Sequence, residues 1–569
     1  MTEKPWLRSY PLDAPKNFTY PEFLQVEDLL IKTALDMPNR TALIFYGKKI
    51  SYRELDRLSD AFALALLRFG VKKGDRVALL LPNIPQFVIA YYGALKAEAI
   101  VVPTNPLYTE RELEHQLADS GSQTLVALDI FYPKIKNVWN KTGLRRVILT
   151  GVQDYLPWLK KTLYPIKAKK EGLWIRVEKT PSVCDFMELI RENNPDLEHP
   201  CFRSLYARLQ RESESPAQLQ YTGGTTGLAK GAILTHNNLV ANVWQCRKWM
   251  LDLKAGEEIF LGVIPFFHVY GLTACMNVGV SLGATLVLLP KFKTEDVLKA
   301  IQKYKTTVFP GIQAMYLAIN GNPETRKYNL KSIKYCISGA GPLHQEVQEK
   351  FESITGAMVV EGYGLSEASP VTHVNPFSRI SRKIGSIGLP LPGTDAKIVD
   401  LETGSELGPN QPGELLIKGP QVMQGYWHKP EETAETLKDG WLHTGDIAVM
   451  DENGFFNIVD RKKDMIKTGG ENVYPREVEE VLFRHPKIKE AVVVGLPDPE
   501  KFRGEIIKAY IILKENESPC EQEILNFCSR ELAKFKIPRI IEFRKELPKT
   551  IVGKVLRRVL VEEELKKKN

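Results

Sequence analysis

The sequence predicts an α/β protein: a large N-terminal lobe of several subdomains, with two parallel-type α/β layers and a β unit, followed by a small α+β domain. Three observations carry this reading. Apolar runs alternate with helix-patterned stretches through the first part of the chain, as expected of strands buried on both faces. From about residue 385 the texture changes to short β-like runs broken by Gly, Pro, Asp and Asn. Past Asp460 a compact alternation of helix and strand fills the remainder, and 569 residues are too many for a single core.

The elements follow in order. YRELDRLSDAFALALLRFG (52–70) has helical periodicity, and RVALLLP (76–82), AIVVP (99–103) and TLVAL (124–128) read as buried strands. The rhythm returns at TTVFP (306–310), YCISGAGP (335–342) and AMVVEGYG (357–364). The last two end in glycine-containing turns, and the C-terminal ends of parallel strands are where such folds bind ligands. Residues 269–290 carry no formal charge over a span long enough for a membrane helix. Gly279, Gly283 and the mid-run Asn277 argue instead for a buried helix, a turn and a core strand. GSIGLPLPGTDAKIVD, GELLIKG and GFFNIVD form the β unit, about 385–460, which closes an N-terminal lobe of 1–460. In 461–569, RKKDMIK precedes a helix from near Pro475, strands AVVVGLP and KAYIILK, and a helix around 521–533.

Composition is that of an ordinary globular enzyme, 43% hydrophobic and 26% charged, with a modest net charge of +8 and no expected nucleic-acid partner. Seven scattered cysteines never form a C-x-x-C pair, which argues against a disulfide framework or structural zinc and for reduced thiols facing a cytosol. The N-terminal MTEKPWLRSYP lacks the apolar core of a signal peptide. Basic residues concentrate at Lys160, Lys161, Lys167, Lys169, Lys170, Arg176 and Lys179, interleaved with apolar ones in a surface insertion at 155–180. Two readings stand side by side: a solvated surface, or peripheral docking on anionic lipid at the inner membrane face.

YTGGTTGLAKG (221–231) has the composition of a phosphate loop. Its glycines let backbone N–H groups approach an anion, and Thr222, Thr225 and Thr226 add donors without charge. An ordinary nucleotide-triphosphatase loop ends in Gly-Lys-[Ser/Thr]. Here Lys230 follows Ala229 and precedes Gly231, so that reading fails on both sides of the lysine. EGYGLSEASP (361–370) groups an aromatic, a hydroxyl and a carboxylate, with Tyr363 suited to a purine, Ser366 to a phosphate and Glu367 to Mg²⁺. In the stretch 439–464, Asp446 offers acceptors for a ribose diol and Arg461 a planar donor fork. Taken singly, each stretch also admits a structural role, and Lys554 in LPKTIVGKVLRR has no assignable function by itself.

Together and in this order these stretches resemble the adenylate-forming superfamily of acyl-CoA synthetases, luciferases and peptide-synthetase adenylation domains. NPLYTERELEHQLADSG (105–121), DRKKDMIK, NVYPREVEEV and PKTIVGKVLRR read like its bacterial long-chain fatty-acid–CoA ligases. The resemblance implies ATP, Mg²⁺, CoA and a fatty acid, and a mobile C-terminal domain. It gives Tyr221, Thr222, Gly223, Gly224, Thr225, Thr226, Gly227 and Lys230 the β- and γ-phosphates, with Thr222 near the metal. Gly339, Ala340, Gly341, Glu361, Gly362, Tyr363 and Gly364 would form the adenine slot. Ser366, where many members have threonine, would contact phosphate, Glu367 would ligate Mg²⁺, and Asp446 with Arg461 would hold the ribose. Lys463 matches the hinge, and Lys467, Gly469 and Gly470 the turn that admits the CoA thiol. Lys554 would bridge carboxylate and phosphate oxygens during adenylate formation. His268, Val269, Gly271 and Leu272 match the acyl pocket; Leu272 stands where some long-chain members carry a gating tryptophan. A medium-chain or cinnamate-type acyl-CoA ligase and a membrane-associated fatty-acid uptake component remain as alternatives, and a homodimer is left open.

Overall fold

The computed structural model describes residues 4–21, 24–170, 172, 175, 177–194, 212–222, 229–468, 471–498, 504–518, 520–549 and 555–567. The chain forms two compact units. The larger comprises Tyr10–Asp395 and Lys418–Gly440, the smaller Met1–Ser9, Ala396–Ile417 and Trp441–Asn569.

In the larger unit, helix α1 (Tyr52–Arg68) starts where the Ser51 hydroxyl accepts from the Glu54 amide. Its stripe of Tyr52, Leu55, Leu58, Phe62 and Leu66 is buried, and α1 packs on α2 (Pro85–Lys96), which is buried along its whole length. Each such side chain contributes about 1.5–3 kcal/mol on leaving water. At the end of α2 the Lys96 ammonium reaches Asp56 and Asp60, each at 2.5 Å. Burial works against the charged lysine, but the two carboxylates outweigh it and raise its pKa.

One sheet of this unit contains the parallel strands Arg76–Leu80, Ile100–Pro103, Thr124–Leu128 and Arg146–Thr150. Helix α3 (Trp158–Lys170) follows the last of these. Strand β1 (Pro216–Thr222) joins Ile100–Pro103 in parallel and turns back antiparallel into β2 (Lys230–Thr235). The uncharged stretch folds as a π-helical turn, Gly271–Asn277, a short helix, Val278–Ser281, and a core strand, Thr285–Leu288. No helix among the described residues is long and apolar enough to cross a membrane. In the second sheet Val308–Gly311, β3 (Tyr335–Ser338) and β4 (Met358–Gly364) run parallel, so their carboxyl ends emerge together. Further on, β5 (Gly425–Tyr426) pairs with β2 and leads into α4 (Pro430–Thr436).

In the smaller unit β6 (Trp441–Met450) pairs antiparallel with β7 (Phe456–Arg461), and the strands Ile488–Pro497, Glu505–Leu513 and Ile540–Phe543 form a separate sheet. The expected division at 460/461 therefore falls inside this unit, and the β unit from residue 396 is grouped with the C-terminal segment. The packing explains why. Asp460, at the end of β7, accepts from the Arg476 amide at 2.7 Å, and the Arg476 guanidinium donates to the Ile458 carbonyl at 2.8 Å. Arg557 binds both oxygens of Glu479 at 2.8 Å and Asp464 at 3.2 Å, with Asp460 at 3.9 Å. Burial pushes the Asp460 carboxyl up to about 6 while Arg557 pulls the other way. Arg557 thus ties the helix Arg557–Lys567 to the turn after β7 and to the helix Pro475–Phe483.

Candidate active site

In the β1–β2 hairpin Thr222 pairs with Lys230, so the two strands bracket the glycine-rich loop. Gly223, Gly224, Thr225, Thr226 and Gly227 lie outside the described residues, as do Gly469, Gly470 and Lys554. The base of the loop is fixed on both sides. Tyr221 is buried, and its hydroxyl donates to Asp119 at 2.6 Å. Burial and that carboxylate hold the phenol far above its ordinary range, so it stays a donor and its polar end is committed. On the other side the His115 Nε2 meets the Ala229 carbonyl at 2.9 Å. The Lys230 ammonium lies 3.8 Å from Glu432 and 5.3 Å over the Tyr426 ring. The ion pair is about one-third exposed on each side, so it is worth about 0–1 kcal/mol and costs little to break.

The register Ser338↔Glu361 carries the turn Gly339–Ala340–Gly341 and the end of β4 out of the sheet side by side. The Gly339 amide donates to the Gly311 carbonyl at 3.2 Å, and Ala340 takes a left-handed φ of 63°. Beneath this turn the Tyr270 hydroxyl donates to the Ile337 carbonyl at 2.8 Å. Tyr363 meets His373 edge-on at 6.0 Å. At Gly364 a Cβ would lie 2.1 Å from the Pro370 carbonyl oxygen, so no side chain fits. Backbone polar groups and a flat ring at paired strand ends suit a planar base.

Ser366 and Glu367 occupy the turn Ser366–Ala368, against which the β1–β2 hairpin packs. Glu367 Oε1 accepts from the Tyr426 hydroxyl at 2.8 Å, and its main-chain carbonyl accepts from the Met423 amide at 2.8 Å. The carboxylate of Glu367 and the hydroxyl of Thr222 are hard oxygen donors. Among the described residues no group of three or more His, Cys, Asp or Glu side chains could hold a metal ion. That donor set fits Mg²⁺, which takes one or two protein oxygens and completes its octahedron with water and phosphate.

The expected acyl segment abuts these elements. The Gln220 side chain donates to the Phe267 carbonyl at 3.3 Å, and the Thr273 hydroxyl donates to the Ser369 carbonyl at 2.7 Å. Val269, Gly271 and Leu272 are buried, and a Cβ on Gly271 would lie 2.3 Å from the Pro265 carbonyl oxygen. A π-helical turn of this kind marks functional positions more often than ordinary helix does. His268 Nδ1 accepts from the Tyr270 amide at 3.2 Å, which leaves the ring proton on Nε2. Burial pushes the imidazole down to about 4. It is therefore a neutral hydrogen-bond donor at physiological pH.

Asp446 and Arg461 belong to the smaller unit. They are cross-strand partners on β6 and β7, with Arg461 Nε 3.0 Å from Asp446 Oδ1 and the carboxylate almost fully buried. Lys463 is exposed in the turn after β7, and Lys467 is exposed on the strand Ile466–Thr468, its amide donating to Glu505 at 2.7 Å. The sequence reading passed over Tyr426, Tyr270 and Thr273. For Tyr426 the available signal was the aromatic pair in GYW (425–427), between two polar stretches.

The chain matches the family model described as AMP-binding enzyme over residues 30–427, and that of the AMP-binding enzyme C-terminal domain over 477–554. It is 49% identical over 565 residues to a long-chain-fatty-acid–CoA ligase of Bacillus subtilis, covering 99% of this chain and 98% of that one. It is 40% identical over 564 residues to a protein of the same name from Escherichia coli O157:H7, with coverage of 99% and 98%. Among solved structures, ATP-bound MatB from Rhodopseudomonas palustris superposes with a TM-score of 0.82 at 28% identity over 95% of this chain and 99% of that one. A fatty acyl CoA synthetase of Mycobacterium tuberculosis does so with a TM-score of 0.71 at 27% identity, with coverage of 95% and 99%.

The state of His268 is directly measurable. An unfolded histidine titrates near 6.5, so between that pH and 4 the folded protein binds fewer protons and loses stability as the pH falls. With ¹³C-labelled histidine, the His268 resonance should show a midpoint near 4 and no inflection between about pH 5.5 and 7.5. A midpoint near 6.5 would contradict the neutral assignment.

Proposed function

The chain belongs to the family of AMP-binding enzymes, and from that premise we propose that it is a long-chain fatty acid–CoA ligase working through an acyl-adenylate. The observation that carries this reading is the assembly, on one compact unit, of three elements. These are the hairpin bracketing the glycine-rich loop, the paired ends of β3 and β4 with the Glu367 turn, and an uncharged buried segment headed by neutral His268.

In the first half-reaction a carboxylate oxygen of the fatty acid attacks the α-phosphorus of ATP. The bond to the bridging oxygen breaks, giving acyl-adenylate and pyrophosphate. Lys230, with the loop 221–232, grips the β- and γ-phosphates that depart. The strand-end residues 339–341 and 361–364 hold adenine, and Asp446 with Arg461 holds the ribose hydroxyls. Glu367 and Thr222 would hold Mg²⁺, which would supply charge neutralisation on the phosphate oxygens. Lys554 spans the reacting carboxylate and phosphate oxygens, where a fixed cation counts for more than in bulk water. The Nε2–H of His268 points the chemistry toward a carboxylate rather than an ammonium. No protein nucleophile is required; alignment and neutralisation carry the step.

In the second half-reaction the CoA sulfur attacks the acyl carbonyl and the carbon–oxygen bond to phosphate breaks, releasing AMP. The part of the chain after the hinge Lys463 changes position, withdrawing Lys554 and presenting the turn with Lys467, Gly469 and Gly470 to the thiol. The functional division at 460/461 belongs to this proposal.

Lipid contact is the further part of the reading. Helix α3 buries Ala168, while Leu159, Leu163 and Ile166 are 56%, 59% and 70% exposed on the opposite face. Trp158, at 74%, lies beside them, and Lys160, Lys161, Lys169 and Lys170 are exposed on the same helix. Outward apolar side chains flanked by lysines fit an anionic bilayer surface, to which each cation adds about 1 kcal/mol.

Thioester formation should rise with acyl length and exceed that for cinnamate-type acids; the opposite order would overturn the long-chain assignment. Lys554→Ala should abolish acyl-adenylate formation in a single turnover while sparing thioester formation from supplied acyl-adenylate, and equal loss of both steps would refute the division of labour. Replacing Lys160, Lys161, Lys169 and Lys170 with glutamine should lower sedimentation with anionic vesicles about tenfold or more, with activity on soluble acyl substrate unchanged. Undiminished sedimentation would count against lipid docking.

A further inference from the structure

The contact between Tyr426 and Glu367 has a consequence for metal choice. Both ends of the bond are held by the backbone. Tyr426 sits on β5, which pairs with β2, and its amide donates to the Thr433 hydroxyl at 2.9 Å. That hydroxyl in turn donates to the Lys429 carbonyl at 2.7 Å. On the other side, the Met423 amide fixes the Glu367 carbonyl at 2.8 Å. The tyrosine hydroxyl therefore meets Glu367 Oε1 from a fixed position, at 2.8 Å. The second carboxylate oxygen takes no hydrogen bond from the described residues.

We propose that Tyr426 is a positioning and specificity residue that makes Glu367 a one-oxygen ligand and so favours Mg²⁺ over Ca²⁺ at the phosphate site. This rests on the proposed role of Glu367 as metal ligand. Mg²⁺ demands a near-ideal octahedron at short range, and a carboxylate bound through both oxygens has too narrow a bite for it. Ca²⁺ is larger, takes six to eight oxygens and accepts both oxygens of one carboxylate. A hydroxyl donating to Oε1 competes with a metal for that oxygen, which disfavours the two-oxygen mode and leaves Oε2 for a single short bond. It also limits the rotations through which an unanchored glutamate would otherwise sample other poses. Tyr426 touches neither the reacting carboxylate nor the α-phosphate in this account; it acts through Glu367.

The test uses the whole enzyme and binding rather than turnover. A non-hydrolysable ATP analogue is titrated calorimetrically with Mg²⁺, with Ca²⁺, and with EDTA in place of metal. Tyr426→Phe keeps the ring over Lys230 and removes only the hydroxyl. The wild-type preference for the Mg²⁺ complex over the Ca²⁺ complex should shrink about tenfold in Tyr426→Phe, with metal-free nucleotide binding unchanged. An unchanged preference, or an equal loss in all three titrations, would overturn the proposal, the latter by reducing Tyr426 to a support of the strand. Glu367→Gln separates the two claims: it should markedly shrink the difference between metal and EDTA. If it does not, the assignment of Glu367 as ligand is what fails, and the role of Tyr426 falls with it.

Discussion

The pairing of β2 on both of its edges is the constraint on which the proposed phosphate end of the site depends. On one edge β2 forms the hairpin with β1 that sets Thr222 opposite Lys230; on the other it receives β5, which carries Tyr426 to Glu367. Main-chain hydrogen bonds on both sides fix the strand, and both neighbours add further anchors. Tyr221 is held by Asp119, and Trp427 donates its amide to the Gly231 carbonyl at 2.8 Å. A site that must neutralise several phosphate charges without a protein nucleophile relies on donors already in place, because alignment then needs little reorganisation.

The neighbouring segment, to which the proposal gives the acyl chain, is built by the opposite means, through exclusion of charge. Residues 269–290 carry none, the π-helical turn is buried, and His268 at its head is kept neutral by burial. The segment is joined to the phosphate elements through Gln220 to Phe267 and Thr273 to Ser369, both ending on backbone carbonyls. Side chains bonded to backbone transmit position without adding charge, which suits the proposed site with a carboxylate at one end and a hydrocarbon at the other.

Much of this was legible in the sequence because it is local. Buried parallel strands show as unbroken apolar runs, and Gly279 and Gly283 break the uncharged run, so β3, β4 and the 269–290 segment lie where the periodicity and the glycines put them. What escaped is long-range. Tyr426 and Glu367 are 59 residues apart, Tyr221 and Asp119 are 102 apart, and no periodicity links such pairs. The grouping of the β unit with the C-terminal segment escaped for the same reason, since it depends on Asp460, Arg476 and Arg557 meeting across turns. Lys554 was reached only through resemblance, as a lone lysine in a glycine-containing turn carries no physical signal of its own.

The central claim is that a fatty carboxylate oxygen attacks the α-phosphorus and that the sulfur of CoA later breaks the bond between that oxygen and the acyl carbon. Turning over a long-chain acid labelled with ¹⁸O in both carboxylate oxygens, with ATP and CoA, follows this oxygen directly. The account predicts that each AMP released carries one labelled oxygen and that pyrophosphate carries none. Unlabelled AMP, or label in inorganic phosphate or pyrophosphate, would contradict it.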